Sequence, residues 1–297
     1  MIISKRLAFR LTTVALLTAF GACSKADTAP PVATVSFNAS KIRVPLGSPI
    51  DLTYKFNVAP GAAINGDYRV FVHLLDADGA NMWTDDHEPP IPTSKWRPGQ
   101  EIQYTRTRFM PVLPYLGEVT VQIGLYHGDE RLPLAGMDPA DRASTSRAYK
   151  VGTLQLLPQS ENIFVIYKSG WHPPEFAPEN PTLEWQWTQK QAVLTLRNPR
   201  QDVTFFVEYD ARIDLFDKAQ EVTVLANDKP VNKFLADSSS MALLRIPITA
   251  AQLGTGEMVE LRLDLDRTFV PAKLPAGGRD SRELGIRVYH AFVGPAK

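Results

Sequence analysis

The sequence predicts an all-β protein: two antiparallel β-sandwich domains behind a cleaved signal peptide. Three observations carry this. Apolar and polar residues alternate at period two through most of the body, turn-forming residues recur between the alternating runs, and removing residues 1–22 leaves 275 of the 297 residues, a length suited to two sandwiches. With 44% hydrophobic residues the chain is too apolar for a disordered tail, and 32 Lys+Arg against 32 Asp+Glu give no basic field for nucleic acid.

Met1 to Arg10 carries Lys5, Arg6 and Arg10 without an acid, and Leu11 to Phe20 is apolar but too short to span a bilayer permanently. This is the pattern of a signal peptide. The single cysteine, Cys23, follows Phe20-Gly21-Ala22 and resembles the lipobox of bacterial lipoproteins, in which the leader is removed and the new N-terminal Cys carries lipid. The resemblance implies a membrane partner through lipidated Cys23. Ser24, where retention signals have Asp, implies the outer membrane of a Gram-negative envelope. An ordinary secretory cut after Gly21 or Ala22 is the alternative, and it would leave Cys23 as a free thiol. A cut before Cys23 leaves 29 basic residues against 32 acids, a net charge of −3. Residues 23–31, ending Ala29-Pro30-Pro31, read as a semi-extended tether.

The body follows from Val32. In Ile50 to Val58, and again in Glu118 to Leu125, alternate residues are apolar. So are Val203, Phe205, Val207 and Tyr209, and Val259, Leu261, Leu263 and Leu265. These are half-buried antiparallel strands. Turn signals stand between such runs at Leu46-Gly47-Ser48-Pro49, Asp78-Gly79, Arg97-Pro98-Gly99, His127-Gly128-Asp129 and Asn227-Asp228. A single helical turn is expected near Thr249 to Leu253. The alternation breaks near residues 155–162, which places domain one at Val32 to Leu156 and domain two at Asn162 to Val293.

Domain one contains a strand apolar on both faces, Val70 to Leu75, entering a turn at Asp78-Gly79. Trp83, Asp85-Asp86-His87 and Pro92-Thr93-Ser94-Lys95-Trp96-Arg97-Pro98-Gly99 follow, and later Gly124-Leu125-Tyr126. These motifs resemble immunoglobulin-like sandwich regions of bacterial envelope and glycosyl-transfer proteins, over about 60 residues. His73, Asp76, Asp78, Asp85, Asp86, His87 and His127 have no metal-ligand spacing, so no metal is expected and the acids read as a solvated polar hairpin.

Domain two opens with Gly170-Trp171-His172-Pro173-Pro174-Glu175 and Trp185-Gln186-Trp187-Thr188. It closes with Thr268-Phe269-Val270-Pro271-Ala272 and Asp280-Ser281-Arg282-Glu283-Leu284-Gly285-Ile286-Arg287-Val288. Together they resemble the jelly-roll-type sandwiches appended to bacterial glycosyltransferases and other polysaccharide-related proteins. Gln186 stands where that pattern has Arg, so the role of that arginine is not carried over. Aromatic faces stack on sugar rings and carboxylates bond their hydroxyls, which makes Trp171, Glu175, Trp185 and Trp187 candidate glycan-binding residues. Trp185 and Trp187, two apart, share one strand face, and such a face more often packs a core than binds a ligand.

No catalytic motif is present, and pairs such as Glu208 with Asp210 or Asp264 with Asp266 fit a strand's solvated face. The expectation is a non-enzymatic, cofactor-free envelope lipoprotein that binds or scaffolds cell-surface glycan. A protein-interaction adaptor of an envelope complex is the alternative, and a glycan hydrolase with an unrecognised site is a third.

Overall fold

The computed structural model describes residues 27–136, 146–275 and 277–296. Cys23 and the leader lie outside them. Among the described residues no helix is long and apolar enough to cross a membrane.

The N-terminal part contains β1 (Ala33–Ala39), β2 (Arg43–Pro45), β3 (Pro49–Val58), β4 (Arg69–Leu75), β5 (Asn81–Thr84), β6 (Glu101–Phe109), β7 (Gly117–His127), β8 (Glu130–Leu132), β9 (Leu134–Ala135) and β10 (Tyr149–Leu157). One sheet runs β6-β3-β1-β9 and the facing sheet β2-β10-β7-β4-β5, with β8 hairpinned onto β7. The N-terminal strand serves both sheets: β1 is antiparallel to β3, whereas β2 runs parallel to β10. That exchange is an immunoglobulin-like arrangement. Period two explains the core, since Leu52, Tyr54, Phe56 and Val58 on β3 and Val119, Val121 and Ile123 on β7 are all buried between the sheets. The double-faced apolar reading of β4 also holds, with Val70, Phe71 and Val72 buried in succession.

The C-terminal part contains β11 (Val165–Tyr167), β12 (Glu175–Ala177), β13 (Asn180–Trp187), β14 (Gln191–Arg197), β15 (Val203–Asp210), β16 (Gln220–Ala226), β17 (Lys229–Ala236), β18 (Ala242–Ile248), β19 (Met258–Leu265) and β20 (Arg287–Pro295). Its sheets run β11-β14-β19-β16-β17 and β12-β13-β20-β15-β18. Apart from the β12–β13 and β16–β17 hairpins, successive strands cross between the sheets, giving the jelly-roll-like winding. Leu194, Phe205, Val224 and Leu261 fill the space between them. Removing a side chain such as Phe205 from water is worth roughly 1.5–3 kcal/mol. Asn227 and Asp228 take φ of 48° and 64°, the left-handed pair that a two-residue β16–β17 hairpin demands. The helical turn, α1 (Ala250–Leu253), is capped by Thr249, whose side chain accepts from Gln252 N while Gln252 answers to Thr249 N.

The two sandwiches meet along the chain and across space. Leu46 N donates to Leu157 O at 3.0 Å, and Asn162 Nδ2 donates to Leu46 O at 2.7 Å, fixing the crossing between them. Further away in sequence, Arg245 of β18 binds Asp51 of β3 and Thr107 of β6. The ring of His290 on β20 lies flat on Phe109 of β6, with centroids 4.0 Å apart and planes at 3°.

Candidate binding cleft between the sandwiches

The four aromatic and acidic residues singled out from the sequence occupy two places. Trp171 follows Gly170, whose φ of 78° and lack of a Cβ let the chain pass close to β14; a methyl there would lie 1.6 Å from Gln191 O. The indole N–H of Trp171 is then committed to Val193 O at 2.9 Å, and its half-buried ring stands edge-on to Tyr167 at 4.7 Å. Trp171 therefore backs Tyr167.

Glu175, Trp185 and Trp187 come together on the other sheet. Trp185 Nε1 donates to Glu175 Oε2 at 3.3 Å, and Glu175 Oε1 lies 2.7 Å from Arg282. Arg282 also holds Asp280, and hydrogen bonds from its side chain and backbone keep that carboxyl down at about 2. Trp187 is 8% exposed and packs with Phe269 and Leu284, with Trp185 and Phe216 around them, in a small cluster separate from the main core. The shared face of β13 is thus covered by loops on the outside of the sandwich.

Arg287 of β20 organises that face. Its guanidinium carbon sits 5.2 Å from the Trp185 ring centre, 5.6 Å from Trp187 and 5.9 Å from Tyr289. Both of its nitrogen contacts go to Asp210, with Nε at 2.6 Å from Oδ1. The Tyr289 hydroxyl donates to Asp210 Oδ2 at 2.8 Å; burial, then that carboxylate, push the phenol up to about 12. Asp210 is 3% exposed, which corrects the sequence expectation that Glu208 and Asp210 are both ordinary solvated acids. Arg287 and Tyr289 cover Asp210, and the Glu208 side chain, paired with His290, is itself only 14% exposed.

Tyr289 is also where this array reaches a cleft of about 1090 Å³ between the sandwiches. Domain-one residues Met82, Trp83, Phe109 and Leu113 form one wall, and Phe164, Tyr167, Leu183, Tyr289 and Phe292 the other. Polar groups lie among them: Asn162, Glu184 and His290. His290 turns Nδ1 to Glu208 Oε2 at 2.7 Å, which orients its ring on Phe109. The volume is that of a cleft able to take several sugar rings or a drug-sized ligand. Phe164, Glu184 and His290 carry no sequence signal of their own. Phe164 stands in the apolar run Ile163 to Tyr167, where period two assigns no face, yet it is 78% exposed.

The acids and histidines of the β4–β5 region are organised differently. Asp76 Oδ1 accepts from Asp78 N and Ala80 N at 2.9 and 2.8 Å, closing its own turn, and His127 Nδ1 reaches Asp67 O at 2.9 Å. His73 Nε2 lies 3.7 Å from Asp86 Oδ1. Asp85 departs from the solvated-hairpin expectation. It is 5% exposed and accepts from Arg108 Nε at 2.6 Å, Arg106 Nε at 3.0 Å and the Tyr54 hydroxyl at 3.2 Å. His87 beside it contacts Asp85 O through Nδ1 at 2.6 Å and the Tyr104 hydroxyl through Nε2 at 2.8 Å. Burial, then the Asp85 charge, raise both phenols, and burial lowers His87. Among the described residues no three His, Cys, Asp or Glu side chains gather as a metal set.

No protein-family model matches the chain, and no curated protein matches it. Solved structures do. It is similar to a family 35 carbohydrate binding module from an environmental isolate, at 12% identity and a TM-score of 0.25, over 45% of this chain and 98% of that one. A Bacteroides uniformis beta-glucuronidase matches at 8% identity and a TM-score of 0.30, over 86% of this chain and 28% of that chain. The collagen adhesin of S. aureus matches at 7% and 0.17, over 89% and 96%. Ligand and partner must be read from the cleft itself.

Proposed function

We propose that this protein is a non-catalytic envelope module that holds glycan in the cleft between its two sandwiches, tethered to the outer membrane through lipidated Cys23. The observation that supports it best is the cleft, whose facing walls present aromatic rings, with hydrogen-bonding groups between them. Pyranose rings offer C–H faces to such rings and hydroxyls to the polar groups. The acids support the non-catalytic part of this reading. Asp85 and Asp210 are tied to arginines, and Glu184 is the one carboxylate among the described lining residues, whereas glycoside hydrolysis needs two across the bond. The tether, residues 23–31, gives the body room to meet surface polysaccharide.

A soluble form beginning at Ser24, applied to a glycan array, tests this. Specific binding that falls at least about tenfold in Trp83→Ala, with circular dichroism unchanged, is the expected result. A protein-interaction adaptor is the competing reading, and Phe164 at 78% and Val112 at 63% exposure on the cleft favour it. Binding to no glycan, together with retention of one envelope protein that Phe164→Ala releases, would decide for the adaptor. For the anchor, a palmitate analogue should label the wild type and spare Cys23→Ser.

A further inference from the structure

Resting on the glycan reading above, we infer that the cleft selects uncharged glycans and turns away uronates and other anionic sugars. Among the described lining residues there is no lysine or arginine, and the one carboxylate is that of the exposed Glu184. Cations nearby in the fold are committed elsewhere: Arg245 to Asp51 and Thr107, Arg287 to Asp210. Some of the donors around the cleft are also engaged within the protein. Tyr289 gives its hydroxyl proton to Asp210, Asn162 gives its amide to Leu46 O, and His290 faces Glu208 through Nδ1. What the lining offers a ligand is a set of uncharged polar groups, the Gln159 amide, the Ser160 hydroxyl and the Trp83 indole N–H, beside one carboxylate, that of Glu184.

A neutral sugar suits that set, because every hydroxyl can donate. An ionised carboxylate only accepts. Inside the cleft it would lose hydration, gain no cation and stand near Glu184, so discrimination comes from a repulsive element rather than from a better fit.

The mature protein is titrated with cello-, malto-, xylo- and mannohexaose, and with oligogalacturonate, oligomannuronate and cellouronate of matched length. The expected result is binding confined to neutral chains, with uronates weaker by about tenfold or more. Glu184→Gln, which removes the charge and keeps an acceptor oxygen, should narrow that gap, and salt should narrow it in the wild type. A uronate that binds as tightly as its neutral counterpart overturns the selection and leaves the glycan reading standing. Binding of neither class overturns the glycan reading, and the selection with it.

Discussion

Each sandwich buries an aspartate against arginine, at nearly equal depth but to different ends. Asp85, 5% exposed, follows β5 in one sheet and receives Arg106, Arg108 and Tyr54 from the other, so the cluster ties two sheets together. Arg106 and Arg108 alternate on β6, an edge strand, and point inward, a device that also discourages edge-to-edge pairing. Asp210, 3% exposed, ends β15 and meets a single guanidinium, that of Arg287, which is flanked by Trp185, Trp187 and Tyr289. The first cluster closes a core. The second braces a wall of the cleft. A buried carboxylate is thus defined less by its depth than by how many cations lean on it and which surfaces they join.

Removing each carboxylate charge should separate the two roles. Asp85→Asn leaves two guanidinium groups facing one neutral amide and should destabilise the protein most, by about 3 kcal/mol, read as a lower urea midpoint at unchanged slope. Asp210→Asn strands one arginine and should cost less, about 1–2 kcal/mol in the same measurement. It should also weaken glycan binding, because Tyr289 loses its anchor at the cleft, whereas Asp85→Asn should leave the affinity of the folded protein unchanged. If Asp85→Asn moves affinity as much as Asp210→Asn does, the division into core tie and wall brace is wrong.

The smallest effect concerns pH and belongs to the first cluster alone. Burial holds the pKa of His87 below the ordinary histidine value, despite Asp85 and Asp86, which pull it upward, while Arg108 adds to the lowering. The unfolded chain then takes up a proton where the folded one resists it. Stability is full above the ordinary histidine pKa and is lost as pH falls through the depressed value. Thermal midpoints between pH 7 and 5 should fall less steeply in His87→Gln than in the wild type. Some slope will remain, since burial lowers His73 as well.

Much of the fold is legible along the chain. The alternating runs of β3, β7, β15 and β19, the Asn227-Asp228 hairpin and the helical turn after Thr249 are local patterns, set by backbone geometry and by one residue's neighbours. The candidate site was legible in part. Trp185 and Trp187 share a face, as their spacing requires, but whether loops or the opposite sheet cover that face depends on Phe216, Phe269 and Leu284, which lie far away in sequence. Asp85 and Asp210 were read as solvated for the same reason. Alternation says which way a side chain points and is silent on what lies there.

The sequence by itself therefore determined the strands, their buried faces, the turns between them and the all-β class, because period-two patterning and left-handed turn residues act within a few positions of the chain. Tertiary structure alone decided which acids meet arginine, how Trp171 comes to support Tyr167, and that a cleft opens between the sandwiches. Those outcomes hang on contacts such as Asp51 with Arg245, 194 residues apart, and on Phe109 lying flat against His290. No local pattern encodes such pairs: they form only when two independently patterned sheets are brought face to face.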